Sequence, residues 1–181
     1  NLPPSIKLLD KNCFANCGNY TRKFGPITLY EGTKVADNAF ESTTLTEIIF
    51  DGCSDFGKNV FYAVTTIEKI AFPACMDTIP QGFCQNWKNL KEVTLPEGIK
   101  KISKNVFFGC TALTSVTIPA SMDSICDHAF FNSGLESIVW PETGVKGFGK
   151  NALSNCKFQS FAIPSWLAPV PEAFLQNNYS L

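Results

Sequence analysis

Apolar residues recur along this chain at one long period and, inside each period, at a short one. Leu45, Ile67, Leu90, Leu113, Leu135, Phe158 and Leu181 follow one another at intervals of 22, 23, 23, 22, 23 and 23 residues. Three residues beyond each lie Ile48, Ile70, Val93, Val116, Ile138 and Phe161, and two further on Phe50, Phe72, Leu95, Ile118, Trp140 and Ile163. The unit reads L-x-x-L-x-L, and its last three positions alternate as in a short strand with one buried face. Pro73, Pro96, Pro119, Pro141 and Pro164 follow the strand, with Asp51 in that place once. Proline has no N–H to give and stops the ladder there.

A second apolar set occupies the latter half of each unit: Phe40, Phe61, Phe83, Phe107, Phe130, Leu153 and Phe174. These segments are too short for ordinary helices. The expectation is turns, short extended pieces or single helical turns that pack the aromatics inward. No unit can bury its apolar side alone, so neighbours must stack into a solenoid. Residues 1–181 then form a single solenoid domain of about seven repeats plus a partial N-terminal one. Leu2 to Ile6 aligns with Leu95 to Ile99, and Leu9 to Cys17 with Ile102 to Cys110, so the chain opens midway through a repeat. Leu181 begins another, the first residue is Asn1 and no polar cap is visible at either end. A fragment of a longer repeat protein is expected. Extra residues around Gly18 to Tyr20, between Cys17 and Phe24, read as a surface loop.

The ordered columns Ile102, Phe107, Cys110, Leu113, Val116, Ile118 and Pro119, with Asp127-His128-Ala129-Phe130 and Asp37-Asn38-Ala39-Phe40, closely resemble the BspA-like leucine-rich repeat. Val64, Asn86 and Ser133 stand where that pattern has Cys. The resemblance covers nearly the whole chain. It implies a leucine-rich repeat solenoid, a curved right-handed stack of ~23-residue units with a parallel β-sheet on one face and short turns, strands or single helical turns on the other. It further implies a secreted or cell-surface setting in bacteria or protozoa, and adhesion to host or microbial partners. One fold serves many functions, so this is an expectation by analogy.

Composition narrows the chemistry. The chain has 181 residues, 45% hydrophobic and 17% charged, with a net charge of −1. That is a folded protein without a global field to recruit nucleic acid or an anionic membrane. No apolar run approaches the roughly 18 residues of a bilayer span, so no direct membrane insertion is expected. His128 is the sole histidine and sits at a variable turn position, C-x2-C is absent, and no glycine-rich phosphate loop occurs. No catalytic, metal or cofactor site is expected. Glu47, Glu92 and Glu136 recur near strand starts and read as a solvated face, as Lys100, Lys101 and Lys104 read as a solvated edge.

Of eight cysteines, Cys17, Cys110 and Cys156 fall on the repeat's own Cys column, where a small apolar side chain fills the turn as a free thiol. Cys53 and Cys75 each lie three residues past the last strand position of consecutive units. Stacking at about 4.8 Å brings them within disulfide reach, although stacked free cysteines would look the same. Cys13, Cys84 and Cys126 have no assignable partner. Trp140 reads as core, while Trp87 and Trp166, at less regular positions, are either exposed or packed between turns. The sequons Asn19-Tyr20-Thr21 and Asn178-Tyr179-Ser180 bear on function only in a eukaryotic secretory pathway.

Function is expected on the outward strand face. Its middle column holds Ile49, Ala71, Thr94, Thr117, Val139 and Ala162, flanked by Glu47, Lys69, Glu92, Ser115, Ser137 and Ser160. Glu47, Ile49, Lys69, Glu92, Thr94 and Thr117 are the candidate partner-binding residues, and Cys53 with Cys75 the candidate bridge. The expected role is non-enzymatic recognition of a protein or glycan partner, on a host or in extracellular matrix. The alternative is a spacer that projects another domain and has no ligand of its own.

Overall fold

The computed structural model describes residues 2–19 and 21–181; Asn1, and Tyr20 with its part of the predicted loop and first sequon, lie outside them. Thirteen strands among the described residues alternate between two lines of a solenoid. One line is made of two-residue strands: β1 (Leu8–Leu9), β3 (Lys34–Val35), β5 (Asp55–Phe56), β7 (Thr78–Ile79), β9 (Lys101–Ile102), β11 (Ser124–Ile125) and β13 (Gly147–Phe148). The other carries the L-x-x-L-x-L segments: β2 (Gly25–Tyr30), β4 (Leu45–Asp51), β6 (Lys69–Ala71), β8 (Glu92–Thr94), β10 (Ser115–Thr117) and β12 (Ser137–Val139). All pairings are parallel and join equivalent residues of consecutive units, as Ile70 with Val93 and Val116 with Ile138. The predicted Phe158 to Ile163 strand makes no ladder with β12. Its aromatics turn to each other and onward, Phe158 edge-on to Phe161 at 5.1 Å and Phe161 to Phe174 at 6.1 Å.

The expected single helical turns are replaced by stacked hydrogen-bonded turns, and the described residues contain no helix. The reason is local. Each turn places two residues in the left-handed region, one at Asn12, Asn38, Asn59, Gly82, Asn105, His128, Asn151 and Ala173, the other four residues on. That backbone interrupts a helical hydrogen-bond run, and Asn is the side chain that tolerates it best after Gly. His128, at φ 56°, thus occupies an asparagine position of the fold.

The turns are bonded unit to unit. Asn59 donates its N–H to Gln81 at 2.8 Å, Gly82 to Lys104 at 3.0 Å, Asn105 to Asp127 at 3.2 Å and His128 to Lys150 at 3.0 Å. Two residues further on, Phe40 donates to Val60 and Phe107 to Ala129, both at 2.8 Å, and Cys84 to Val106 at 3.1 Å. This spine carries the aromatics inward, where Phe14, Phe40 and Phe61 stack in sequence at 5.2 and 5.3 Å and Phe107 on Phe130 at 5.1 Å. Phe40, Phe61, Phe107 and Phe130 are fully buried. Each contributes about 2–3 kcal/mol of apolar burial.

The spine corrects the register of the second apolar column. Cys84, not Phe83, holds the position of Phe107, and Leu175, not Phe174, that of Leu153. The Cys column shifts with it, so Trp87, not Asn86, matches Cys110, and Asn178 matches Cys156. A small residue in the ring position and a large one in the thiol position offset each other in volume, which a close-packed core requires. Trp87 is accordingly fully buried.

Four members of the Cys column are donors rather than apolar fillers. Trp87 Nε1–H reaches the Phe61 carbonyl at 2.6 Å, the Cys110 thiol the Cys84 carbonyl at 3.2 Å, the Cys156 thiol that of Phe130 at 3.3 Å, and Asn178 Nδ2–H that of Leu153 at 3.0 Å. Burial pushes the Cys84 and Cys110 thiols well up and Cys156 up to about 11, so all three stay protonated. Only the protonated thiol can donate.

Candidate functional site

Both strand lines break at the same place. The sheets run β2–β4, β6–β8 and β10–β12 on one line, and β1–β3–β5 and β7–β9–β11–β13 on the other. Between β8 and β10 the backbones stay side by side, whereas β4 and β6 stand apart, with their Cα atoms mostly beyond 8 Å of each other. β2 and β4 are six and seven residues long, with Tyr30 and Asp51 where other units have a proline stop, whereas β6 has three residues.

The separation opens a groove of about 770 Å³ on the outer strand face. Glu47 and Ile49 of β4, Lys69 of β6, and Glu92 and Thr94 of β8 all line it, while Thr117 of β10 is exposed beyond it. Five of the six candidate residues are therefore gathered at one cleft. Ile49 is 42% exposed and Ala71 presents only a methyl group, so the middle column is apolar and shallow. The groove also has parts outside the candidate set: Thr46, Glu68 and Pro73 at its margins, and Ile48 and Ile70 beneath.

Its charge is acidic. Glu47, Glu68 and Glu92 face a single cation, Lys69. Glu68 is tied to Lys91 at 2.9 Å, and that hydrogen-bonded ammonium holds its carboxyl below the usual range. The pair is solvent-exposed and stabilises the fold little. Among the described residues neither Glu47 nor Glu92 forms an ion pair.

Both ends of the groove are held. At the strand starts the Thr66 hydroxyl donates to the Leu45 carbonyl. Past the strand ends Cys53 and Cys75 are joined as a disulfide, with Cα atoms 6.0 Å apart. Below, the spine continues through Trp87 Nε1–H to Phe61 and through Asn86 Nδ2–H to the Tyr62 hydroxyl at 3.0 Å.

The remaining candidates fall elsewhere. His128 Nε2 lies 3.3 Å from Asn151 Nδ2, its Nδ1 is buried without a partner, and its ring packs on Phe131 at 5.4 Å. Lys101 and Lys104 border a smaller hollow of about 500 Å³ with Lys58 and Asp37. Trp166 is half-buried, stacked on Phe148 and edge-on to Trp140, so it packs rather than protrudes. Asn178 of the second sequon is buried, with both amide atoms engaged in the fold, and offers no accessible acceptor. Asn19 is exposed and caps its own loop, accepting from the Thr21 and Arg22 amides at 3.0 and 2.7 Å. No group of three or more His, Cys, Asp or Glu that could hold a metal occurs among the described residues, and no helix there is long and apolar enough to cross a membrane.

Known proteins share this architecture. A leucine-rich repeat protein of Bacteroides ovatus matches 86% of the chain at 23% identity with a TM-score of 0.75. One of Eubacterium ventriosum matches 92% at 25% identity with a TM-score of 0.73. A leucine rich cell surface protein of Faecalibacterium prausnitzii matches 76% at 22% identity with a TM-score of 0.57. The match covers 40%, 44% and 47% of those proteins, so the chain spans less than half of each. No curated protein matches it. The model of the BspA type leucine rich repeat region matches residues 1–113 and 100–181 in six copies. The chain belongs to the BspA-type leucine-rich repeat family.

Proposed function

We propose that this chain is a non-enzymatic recognition domain of a cell-surface or secreted protein, and that it binds a macromolecular partner, protein or glycan, through the outer strand face. The observation that carries the reading is the groove at Ile49, Lys69 and Glu92, where that face stops being flat. A concave site with an apolar centre and a few polar margins is the usual form of a binding surface. The surface setting draws support from the Faecalibacterium protein, which is called a cell surface protein. The repeat family and the lack of convergent catalytic groups around His128 favour binding over chemistry.

The test is a binding screen of the folded 181-residue domain against extracellular-matrix proteins and a glycan array. A saturable interaction is expected, weakened at least tenfold by Ile49→Arg or Glu92→Lys. A folded domain that binds nothing in the screen overturns the reading and favours a spacer.

A further inference from the structure

The break between β4 and β6 leaves main-chain groups as well as side chains at the groove. In a parallel ladder, successive residues of a strand bond alternately to its two neighbours. Phe72 N–H donates to Thr94 at 3.1 Å and Ile118 N–H to Val139 at 2.9 Å, so inward-column residues bond toward the following unit. β4 keeps that register against β2, with Ile27 opposite Ile48 and Leu29 opposite Phe50. Ile48 and Phe50 therefore turn their N–H and C=O groups away from β2, toward β6. By the same alternation Lys69 and Ala71 turn theirs back toward β4. No ladder joins the two strands.

Two strand edges thus face each other across the groove. Donors and acceptors recur along each edge every two residues, about 6.6 Å, which is the period of an extended polypeptide. An added strand needs its two neighbours about 9.6 Å apart, twice the ordinary spacing. The β4 and β6 backbones have already parted beyond ordinary pairing distance. The Thr66 hydroxyl at one end and the Cys53–Cys75 bridge at the other hold the slot at both ends. With Cα atoms 6.0 Å apart at the bridge, these ties close the two ends, and the opening lies along the strand residues between them.

We infer that an extended, cationic segment of a protein partner adds as a strand along β4 in the slot between β4 and β6. This rests on the reading of the face as a recognition surface and names its ligand class. Main-chain bonds supply affinity and the alternating side chains specificity, as in other strand additions. Every second side chain of the added strand points outward, beside Glu47 of β4 and Lys69 of β6 with Glu92 one strand beyond, and the two carboxylates outnumber the one ammonium, which favours Lys or Arg there. The others point onto Ile48 and Ile70, which favours small apolar residues.

The experiment titrates the ¹⁵N-labelled domain with the peptide acetyl-Lys-Val-Lys-Val-Lys-Val-amide and reads amide shifts and exchange. Slowed exchange at Ile48, Phe50, Lys69 and Ala71 is expected. So is at least a tenfold loss of affinity on N-methylation of every second peptide residue, or on replacement of its lysines by glutamates. The double substitution Glu47→Lys with Glu92→Lys, at exposed positions, should invert that preference. Failure to bind at millimolar peptide, or binding that leaves those four amides exchanging as before, overturns strand addition. A glycan or protein hit in the broader screen that perturbs Ile49 and Lys69 side chains while the β4 amides still exchange freely would do the same, and would leave recognition by this face standing.

Discussion

At the middle of this solenoid the turn side and the strand side part company. The spine runs from Asn12 to Asn177, and at this junction it crosses from Asn59 to Gln81 and from Ala63 to Gln85 at 2.8 Å each, without the middle bond that Phe40 and Phe107 make in their units. On the strand side, over the same two units, β4 and β6 share no ladder. Cohesion between units therefore resides in the buried rings, the left-handed turns and the donor column. At this junction the strand side keeps only the Thr66 contact and the Cys53–Cys75 bridge at its ends, and a groove opens between them without dividing the core. Stability in a stacked array is a sum of unit and interface terms, and here one side supplies most of the interface.

The sharpest way to break the comparison is Phe61→Ala. Phe61 is fully buried, stacks on Phe40 of the preceding unit and touches Phe83 and Trp87 across the junction. The expected loss is about 3–5 kcal/mol in urea denaturation. Less than 1 kcal/mol would place cohesion elsewhere.

Next comes the bridge. Cys53 and Cys75 enclose a separation of 22 residues, so Cys53→Ser with Cys75→Ser should cost about 3 kcal/mol on the chain-entropy account. The same denaturation, with reductant on the parent as a second arm, checks it. Equal stability in the parent and the double variant contradicts it.

The buried thiols predict a pH dependence. Unfolded thiols ionise near 8.5, whereas folded Cys156 does so at about 11 and Cys84 and Cys110 are also raised. Their folded values lie above the unfolded one, so their contribution is whole below pH 8.5 and falls as pH rises toward 11. The slope is about 1.4 kcal/mol per pH unit for each thiol. Cys110→Ser with Cys156→Ser should flatten the curve, and a flat profile in the parent would contradict the assignment.

Smaller effects separate the sides further. Asn105→Val, at φ 61°, should cost about 1–2 kcal/mol in thermal or urea unfolding, while Asn105→Gly stays near neutral. On the strand face, Ile49→Ala should change stability by less than about 0.5 kcal/mol. If Ile49→Ala proves as costly as Asn105→Val, the two sides are not different in kind.

What the sequence disclosed follows the same division. The L-x-x-L-x-L columns located the strands, and repeat spacing placed Cys53 and Cys75 at equivalent positions. Five candidate face residues fell at one cleft because an outward column is a geometric consequence of strand alternation. The one-residue slip at Phe83 escaped a reading that followed ring identity. Counting back 23 residues from Phe107 and Cys110 reaches Cys84 and Trp87, and Gly82 in an asparagine position is a second signal. The groove escaped because it depends on which neighbouring strands pair, a property of two units rather than of one segment. The spine bonds were hidden for a related reason, since backbone pairing leaves no side-chain signature beyond the recurring Asn.

Residue-resolved hydrogen exchange on the unliganded domain tests the central claim most directly. Turn amides at Asn59, Ala63, Gly82 and Asn105 should be strongly protected across the junction, while Ile48 and Phe50 of β4 exchange far faster than the amides of β8 and β10. Protection at Ile48 and Phe50 equal to that of the spine would mean a closed, continuous sheet and would contradict the account.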